Sequence, residues 1–391
     1  MAGMRIAMIT RRFWPLVGGA EMVMANLASE FQRQGVDPVL LTAQWDPTWP
    51  MQFTHREVSV QRLPNPERKG WGTYVYMDAL SKWLRTNRHT YDIAFVSMLK
   101  HSAYSAVTAC RKQPQGVVLR VEGGGTTGDC NWHNIARFGN RIRRRCKEAN
   151  AVIAPSDATY DELVEAQFAL DRIHQIPNGV ALSETPQTPE SITAARQILC
   201  QNNRDFTSHP DHYVSVYTGR LTRNKGLFEL LDAWRVVVHQ RPHSQLWLIG
   251  EGPDREALYD RIRELQLTGH VLMPGAFDDV SDLLKAANSF VLPSYTEGLS
   301  LSALEAMAHR VHVIASDIAG NRQLIENGIH GRLVPVKESS PLAEAILSAQ
   351  SSDNNAMTKA AYDRVKRNFS LEAMARQHIK VFENVLRDSN E

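Results

Sequence analysis

The 391-residue sequence has few cysteines, almost no net charge and no long hydrophobic run. None of its four cysteines belongs to a C-x-x-C pair, which argues against a zinc site or a disulfide framework and indicates a reduced, cytoplasmic protein. A formal net charge of +2 gives no basis for nucleic-acid binding. No stretch approaches the roughly 20 apolar residues that cross a bilayer. The short apolar run near the N-terminus is flanked by arginine, which favours a buried strand over a signal peptide.

Two functional fingerprints are also missing. Dinucleotide-binding enzymes carry G-x-G-x-x-G after a strand, with an acidic residue about 20 positions later. Here the first predicted strand is followed by RRFWPLVGGAE, and GEGPDRE at 250–256 has arginine in place of the third glycine, so a dehydrogenase of this type is excluded. No Asp-x-Asp metal motif stands at a suitable strand end, because FDDVSD at 277–282 is better explained as the start of a helix. We therefore expect no metal.

Short apolar strands alternate with amphipathic helices along most of the chain. Six predicted strands in the first half are RIAMIT, DPVLLTA, EVSVQRL, DIAFVSM, GVVLRV and NAVIAPS. Six in the second half are YVSVYTG, QLWLIG, HVLMPG, SFVLPS, VHVIAS and GRLVPV. Their Val, Ile and Leu residues show little alternation, as in strands covered on both faces. This order predicts an α/β protein with two Rossmann-like, doubly wound domains that face a central cleft.

The polar, proline-containing region 184–212 interrupts this alternation. Its composition predicts a linker between the two domains. Residues 1–183 then form an N-terminal domain, and residues 213–369 form a C-terminal domain. The chain ends with an amphipathic helical pattern at 370–391 that no strand follows.

Two basic residues follow the first predicted strand of the second half, just before a predicted helix. Ligands of open parallel sheets bind beyond the carboxyl ends of the strands, where Arg220 and Lys225 lie. Two cations beside a helix N-terminus form a site for a diphosphate. A solvated basic loop is the alternative, and Arg223 fits that description better than the other two.

The segment SYTEGLSLSALEAMA at 294–308 places two carboxylates, Glu297 and Glu305, around the predicted start of a helix near Ser302. A carboxylate beside a helix N-terminus repels phosphate, but it accepts hydrogen bonds from vicinal hydroxyl groups well. The acidic pair and the basic pair together predict a nucleotide-diphosphate sugar as the ligand. The backbone N–H groups expected to face its phosphates are those of Gly298, Leu299 and Ser300. The alternative for Glu305 is a capping box with Ser302.

Seven motifs span most of the chain in a fixed order. They are GGAE at 18–21, IPNGV at 176–180, TGRLTRNKG at 218–226, IGEGP at 249–253, VLMPGAFDD at 271–279, PSYTEGLSLSALEAMA at 293–308 and SDIAGNRQLIENGIHGRLVP at 316–335. In this order they resemble the retaining GT-B glycosyltransferases of family 4, also called glycosyl transferases group 1. The resemblance is most specific in the second half, where an E-x7-E pair follows G-R-x4-K-G.

The resemblance implies a retaining, metal-independent transfer of a sugar from a nucleotide-diphosphate sugar, with UDP expected before GDP. Arg220 and Lys225 would hold the diphosphate, Glu297 would lie under the donor sugar, and Glu305 would bind the ribose. Glu297, Arg220 and Lys225 would thus be the catalytic residues, with front-face departure favoured over Glu297 as a nucleophile. Further donor contacts are implied at Gly18, Gly19, Gly275 and Phe277.

The same resemblance implies several features outside the donor site. The final helix, 370–391, would return to the N-terminal domain. The acceptor would be a glycan, a lipid-linked sugar or a small molecule, in polysaccharide biosynthesis. The nucleotide sugar is a co-substrate, so no cofactor is expected.

The sequence departs from the family after the fifth N-domain strand, where many relatives have a histidine. Glu122 occupies roughly that position. Glu122, Asp129 and His101 are candidate contacts to the donor sugar or the acceptor. A polar glycine-rich loop without chemistry is the alternative for the two acids, and a structural histidine is the alternative for His101.

The basic run between Arg137 and Lys147 has two possible roles, and they imply different localisations of the protein. It is either a solvated helix face or a contact with an anionic membrane surface or a phosphorylated lipid carrier. The protein would accordingly be cytoplasmic, free or peripheral at the inner face of the membrane.

Two other functions compete with sugar transfer. A nucleotide-sugar epimerase of the same fold would need acid and base residues on both faces of the sugar ring, and the sequence offers fewer candidates for that arrangement. A nucleotide-sugar-binding protein without catalysis is the second alternative, which an activity assay would separate from a transferase.

Overall fold

The computed structural model describes residues 3–16, 18–67, 71–125, 128–207, 209–277 and 279–388. The chain divides into two units. The first unit consists of Met1–Gly179 and Leu371–Glu391, and the second of Val180–Ser370. Each unit is built on its own sheet, covered by helices.

The sheet of the first unit has eight strands in the order β3-β4-β2-β1-β5-β6-β7-β8. The strands are β1 (Arg5–Ile9), β2 (Asp37–Ala43), β3 (Gln52–His55), β4 (Val58–Leu63), β5 (Ile93–Ser97), β6 (Gly116–Arg120), β7 (Ala151–Ala154) and β8 (Ile173–Gln175). Neighbouring strands are parallel except β3, which runs antiparallel to β4. The six predicted strands are all present. The prediction missed β3 and β8 because they are short edge strands of four and three residues with few Val, Ile or Leu side chains.

Six helices connect these strands. They are α1 (Gly19–Arg33), α2 (Trp71–Thr86), α3 (His101–Cys110), α4 (Asp129–Ile135), α5 (Gly139–Cys146) and α6 (Asp157–Glu165), with a 3-10 turn at Leu170–Arg172. The helix α1 shows why they form: Val23, Met24, Leu27 and Phe31 recur at helical spacing and are all buried.

The sheet of the second unit has six parallel strands in the order β11-β10-β9-β12-β13-β14. The strands are β9 (Tyr213–Thr218), β10 (Ser244–Ile249), β11 (Val271–Gly275), β12 (Ser289–Leu292), β13 (His312–Ser316) and β14 (Arg332–Val334). All six predicted strands are confirmed. Counted within the unit, this is the 3-2-1-4-5-6 order of dinucleotide-binding folds, whose switch point lies between the first and fourth strands.

Eight helices belong to this unit. They are α7 (Pro189–Asn202), α8 (Leu227–Gln240), α9 (Arg255–Glu264), α10 (Ser281–Ala286), α11 (Leu301–Ala308), α12 (Ala319–Leu324), α13 (Ser339–Ser351) and α14 (Asn355–Asn368), with a 3-10 turn at Arg223–Lys225. The predicted apolar face of α8 packs into the core, where Trp234 is fully buried.

The region 184–212, predicted to be a linker, lies within the second unit and is largely structured. A capping box between Thr188 and Ser191 starts α7. From this helix the buried Arg196 donates a hydrogen bond of 3.0 Å to the Ala286 carbonyl oxygen. The polar composition of the region therefore reflects one amphipathic helix docked on the domain. Between residues 203 and 212, only Phe206 among the described residues is buried.

The last helix, α15 (Leu371–Asp388), belongs to the first unit. Its apolar face packs on α1 and β6. Phe382 lies 5.7 Å from Phe31 and 5.4 Å from Phe95, measured between ring centroids. The C-terminal segment thus completes the core of the N-terminal sheet. No helix in the described ranges is long and apolar enough to cross a membrane.

Candidate active site

Two loops meet at the switch point of the second sheet. The loop 219–226 follows β9, and the loop 293–300 follows β12, the adjacent strand. Gly226 has the left-handed φ of 68°, and a Cβ on it would clash with the main-chain oxygen of Pro293. The two loops are therefore packed backbone to backbone, and residues from both can contact one ligand.

An ion pair joins these two loops. Lys225 Nζ lies 2.6 Å from Glu297 Oε1, and their side chains are 22% and 12% exposed. At this distance and burial the carboxylate has a fixed position rather than a solvated one. The structure thus brings together two of the predicted catalytic residues, which are 72 positions apart in the chain.

A third loop supports the backbone of Glu297. A Cβ on Gly320, at the start of α12 after β13, would clash with the main-chain oxygens of Glu297 and Gly298. Only glycine permits this approach. The carboxylate of Glu297 is therefore held by the ion pair on one side and by backbone packing on the other.

The helix α11 begins at Leu301, two positions after Leu299. Its N-cap is Ser300, whose Oγ accepts a hydrogen bond of 3.3 Å from the Ala303 N–H. The capping-box alternative for Glu305 is therefore wrong, since the third helical position is Ala303. None of the described hydrogen bonds uses the N–H groups of Gly298 or Leu299. These donors remain for a ligand at the helix N-terminus.

Glu305 lies in the second turn of α11 and is only partly exposed. Burial, and next the negative charge of Asp279, raise the pKa of its carboxyl to about 7. No described residue donates a hydrogen bond to this carboxylate, although the ring Nδ1 of His309 lies 2.8 Å from the main-chain oxygen of Glu305. A carboxyl without donors can accept hydroxyl groups, as its predicted contact with a ribose requires.

Arg220 is exposed, and no ion pair of its guanidinium is found among the described residues. Its main-chain oxygen accepts a hydrogen bond of 2.9 Å from the hydroxyl of Tyr217. Burial, and then the charge of Glu297, raise the pKa of that hydroxyl. Arg223 instead stacks on Phe228, 5.0 Å from the ring centroid, as expected for the surface residue of the three.

Gly275 is the last residue of β11, at the edge of the second sheet, and Phe277 lies in the loop that follows. Gly275 has a φ of 103°, and its carbonyl accepts a hydrogen bond of 2.9 Å from the Gly250 N–H, so the loops after β10 and β11 are joined. The ring of Phe277 is 39% exposed and meets the edge of Phe206 at 6.4 Å. It is available to stack on a planar group. Asp278, in the motif at 271–279, is outside the described residues.

Gly18 and Gly19 belong to the first unit, where Gly18 is the N-cap of α1 and Gly19 its first residue. A Cβ on Gly19 would have no heavy atom within 4 Å. Local packing therefore does not demand glycine at position 19. The donor contact predicted for it by resemblance stays a prediction.

Glu122 and Asp129 form a buried network in the first unit. Glu122, 6% exposed, pairs with Arg120 at 2.6 Å and accepts a hydrogen bond of 3.0 Å from Ser97. Asp129, 2% exposed, lies 3.6 Å from Lys100 Nζ. Burial raises the pKa of both carboxyls. These partners are internal, so the geometry favours the structural alternative, and contact with a ligand stays a prediction.

His101 starts α3, and its ring meets Trp132 edge-on at 5.2 Å. Burial, then the charges of Arg11 and Lys100, lower the pKa of the ring. Sequence reasoning did not select Arg11 or Lys100. The available signal was their position in the loops after β1 and β5, the switch-point strands of the first sheet.

No group of three or more His, Cys, Asp or Glu side chains that could hold a metal ion occurs among the described residues.

Solved glycosyltransferases share this architecture. The structure of HepE from Anabaena in complex with UDP superposes with a TM-score of 0.74, covering 97% of this chain and 100% of HepE. The sequences are 19% identical, so this likeness concerns the fold.

Family models match both units of the chain. Glycosyltransferase Family 4 matches residues 17–184, and Glycosyl transferases group 1 matches residues 201–364. The chain belongs to the GT-B glycosyltransferases. The second match contains the paired loops after β9 and β12, so this glycosyltransferase carries the Lys225–Glu297 pair within a recognised domain.

Two curated relatives illustrate the range of similarity of this glycosyltransferase. TuaC of Bacillus subtilis (strain 168), named for teichuronic acid biosynthesis, is 36% identical over 207 residues, which is 52% of this chain and 48% of TuaC. The match thus spans about half of that relative. Alpha-maltose-1-phosphate synthase of Mycobacterium tuberculosis (strain ATCC 25618 / H37Rv) is 27% identical over 407 aligned residues, covering 98% of this chain and 100% of the synthase.

Proposed function

We propose that the protein transfers a sugar, with retention of the anomeric configuration and without a metal ion, from a nucleotide-diphosphate sugar to a glycan, lipid-linked or small-molecule acceptor. The observation that carries the proposal is the Lys225–Glu297 pair at the switch point of the second sheet. A cation, a fixed carboxylate and free N–H groups converge there. Glu305 lies in α11, the helix that follows the loop of Glu297. These groups match the diphosphate, the sugar and the ribose of such a donor.

The proposed roles of the side chains follow from where charge develops as the sugar is transferred. As the bond to the anomeric carbon breaks, negative charge grows on the departing diphosphate, where Arg220, Lys225 and the N-terminus of α11 stabilise it. The leaving phosphate oxygen then accepts the proton of the attacking acceptor hydroxyl on the same face of the sugar. Glu297 binds the donor hydroxyls rather than forming a covalent intermediate, because its pairing with Lys225 at 2.6 Å weakens it as a nucleophile.

The donor we propose is a UDP-sugar. UDP is bound in the structure of HepE, which shares the fold. The name of TuaC associates a relative with a surface polymer, in line with polysaccharide biosynthesis as the setting.

Calorimetric titration with UDP tests the binding part of this proposal. Arg220→Ala and Lys225→Ala should each weaken UDP binding by about 10- to 100-fold, as for loss of a charge-assisted hydrogen bond. Arg223→Ala is the matched control, since Arg223 belongs to the same loop but its guanidinium stacks on Phe228 of α8. Wild-type affinity in both site variants would refute the assignment.

The reaction itself has two further readouts. A product with the same anomeric configuration as the donor, determined by NMR, is expected from the transfer. Full turnover in EDTA is expected as well, because cationic side chains take the place of a metal. Inversion of the anomeric configuration would contradict the retaining mechanism. An activity that EDTA removes and a divalent cation restores would contradict the metal-free one.

We also propose that the surface formed by α5 and the residues before it contacts anionic membranes. Ile135 and Phe138 are 75% and 45% exposed there. The exposed arginines beside them are Arg137, Arg141 and Arg144. Apolar side chains beside arginines suit the interface of an anionic bilayer. Sedimentation with phosphatidylglycerol vesicles, but not with phosphatidylcholine vesicles, is expected, and Phe138→Ser should reduce it. Equal sedimentation with both lipids would contradict the proposal.

A further inference from the structure

Arg11 lies two residues after the end of β1, at the switch point of the first sheet. Its guanidinium carbon lies 5.2 Å from the ring centroid of Trp45 and 5.5 Å from that of Tyr76. Its Nη2 donates hydrogen bonds of 3.1 Å to Asn65 Oδ1 and 2.9 Å to Thr73 Oγ1. Two aromatic rings and two neutral acceptors therefore fix the plane of this guanidinium.

No carboxylate among the described residues pairs with Arg11, and its Nε is buried without a hydrogen-bond partner. The other cations near this edge of the sheet are compensated: Arg120 by Glu122 and Lys100 by Asp129. A partly buried cation without a counter-charge is costly, and burial accordingly lowers the pKa of Arg11. Such a group gains most from an anion that arrives with a ligand.

The groups around Arg11 also suit a sugar. Burial, and then the charges of Arg11 and Lys100, lower the pKa of His101, so this ring is neutral at pH 7 and does not repel the guanidinium of Arg11. Trp132 lies 5.2 Å from His101 and 5.8 Å from Lys100 Nζ, measured to the indole ring. Indole rings offer the apolar faces on which pyranose rings pack.

We propose that Arg11 binds an anionic group, a carboxylate or a phosphate, carried by the acceptor sugar. The Nη1 group of this guanidinium takes part in no described hydrogen bond, so its two N–H donors can bind either kind of anion. The inference rests on the proposed function in one respect, that the anion is part of an acceptor. A neutral acceptor would leave the charge of Arg11 uncompensated.

The test uses the full-length protein, saturated with UDP so that the probes do not occupy the donor site. Glucuronate, glucose 6-phosphate and glucose are titrated against histidine-labelled protein, and the His101 resonances are assigned with His101→Gln. Both anions, or one of them, should shift the His101 signals and raise the pKa of the ring, because the bound anion offsets the charge of Arg11. Glucose should not. A response to glucuronate alone identifies a carboxylate acceptor, and a response to glucose 6-phosphate alone identifies a phosphorylated one.

Arg11→Gln should weaken binding of the responding anion by about 10- to 100-fold. The matched control is the exposed neighbour Arg12, for which Arg12→Gln should leave the response unchanged. If Arg11→Gln does not fold, Arg11→Lys keeps the charge without the fixed guanidinium N–H groups and should still weaken binding. Absence of response to both anions, an equal response to glucose, or an unchanged response in the Arg11 variant would overturn the inference. Failure of UDP to bind in the calorimetric experiment would instead overturn the proposed function.

Discussion

The two sheets share a core strand order but place charge differently at the carboxyl ends of their strands. With the edge strands β3 and β8 left out, β4-β2-β1-β5-β6-β7 follows the same 3-2-1-4-5-6 order as β11-β10-β9-β12-β13-β14. In the second unit, Lys225 and Glu297 are partly exposed and Arg220 is exposed. In the first unit, Arg120 is 0% exposed and its partner Glu122 is 6% exposed.

Ion pairs at the carboxyl edge of a parallel sheet can thus serve two purposes, structural support or ligand binding. A fully buried pair has no face left for a ligand, so it fixes the loop that contains it. A partly exposed pair keeps hydrogen-bonding capacity, so it can hold a substrate while remaining in place. Charged side chains after parallel strands are therefore expected in both units, and their burial decides which purpose they serve.

The largest effect is expected on stability, when the buried Arg120–Glu122 pair is disrupted. Glu122→Ala should destabilise the protein by about 3–5 kcal/mol, because it leaves Arg120 charged and fully enclosed. Chemical denaturation monitored by circular dichroism measures this change. UDP affinity of the folded fraction should stay at the wild-type level. A stable variant that had lost only turnover would place Glu122 in the chemistry instead.

The corresponding change in the second unit should act on turnover rather than on folding. Glu297→Gln keeps the shape of the side chain but removes the charge that pairs with Lys225, so kcat should fall by about 10²- to 10³-fold. Steady-state kinetics with the donor, and calorimetry with UDP, separate the loss of catalysis from binding. Wild-type kcat in this variant would eliminate the role of Glu297 at the donor sugar.

A smaller, pH-dependent effect is expected at Glu305. Its folded-state pKa of about 7 is above the ordinary glutamate value, so the folded protein holds a proton that the unfolded chain has released. Wild-type stability should therefore fall as pH rises from about 4.5 to 7. Glu305→Gln removes this cost and should be more stable than wild type by about 1–3 kcal/mol at pH 8, with no gain at pH 4.

Thermal unfolding of the Glu305 variant across pH measures this difference. UDP affinity should decrease in the same protein, because an amide offers the ribose hydroxyls one neutral oxygen in place of a carboxylate. A stability difference that did not change with pH would argue against the raised pKa.

The smallest effect is expected at Gly19. A Cβ there meets no atom within 4 Å, so Gly19→Ala should leave stability unchanged or raise it by up to about 1 kcal/mol. Affinity for the nucleotide sugar should nevertheless fall if Gly19 contacts the donor, as the family resemblance implies. Unchanged affinity in isothermal titration would remove Gly19 from the donor contacts.

Most of the secondary structure was predictable from local patterns. All six strands of the second sheet and six of the eight in the first were expected, because buried parallel strands are continuous apolar runs. The missed strands, β3 and β8, are edge strands of four and three residues. The linker prediction at 184–212 differs from the structure because polar composition does not reveal that Arg196 is buried.

The sequence by itself determined the order of strands and helices, the seven motifs and the identity of the charged residues after each strand, since these depend on local periodicity and spacing. Tertiary structure alone decided which charges are paired and which face solvent. Lys225 meets Glu297 only because glycines let three loops pack backbone to backbone, whereas Glu122 meets Arg120 inside a closed network. Burial and distance arise from packing between segments distant in the chain, and these set the energy of a charge.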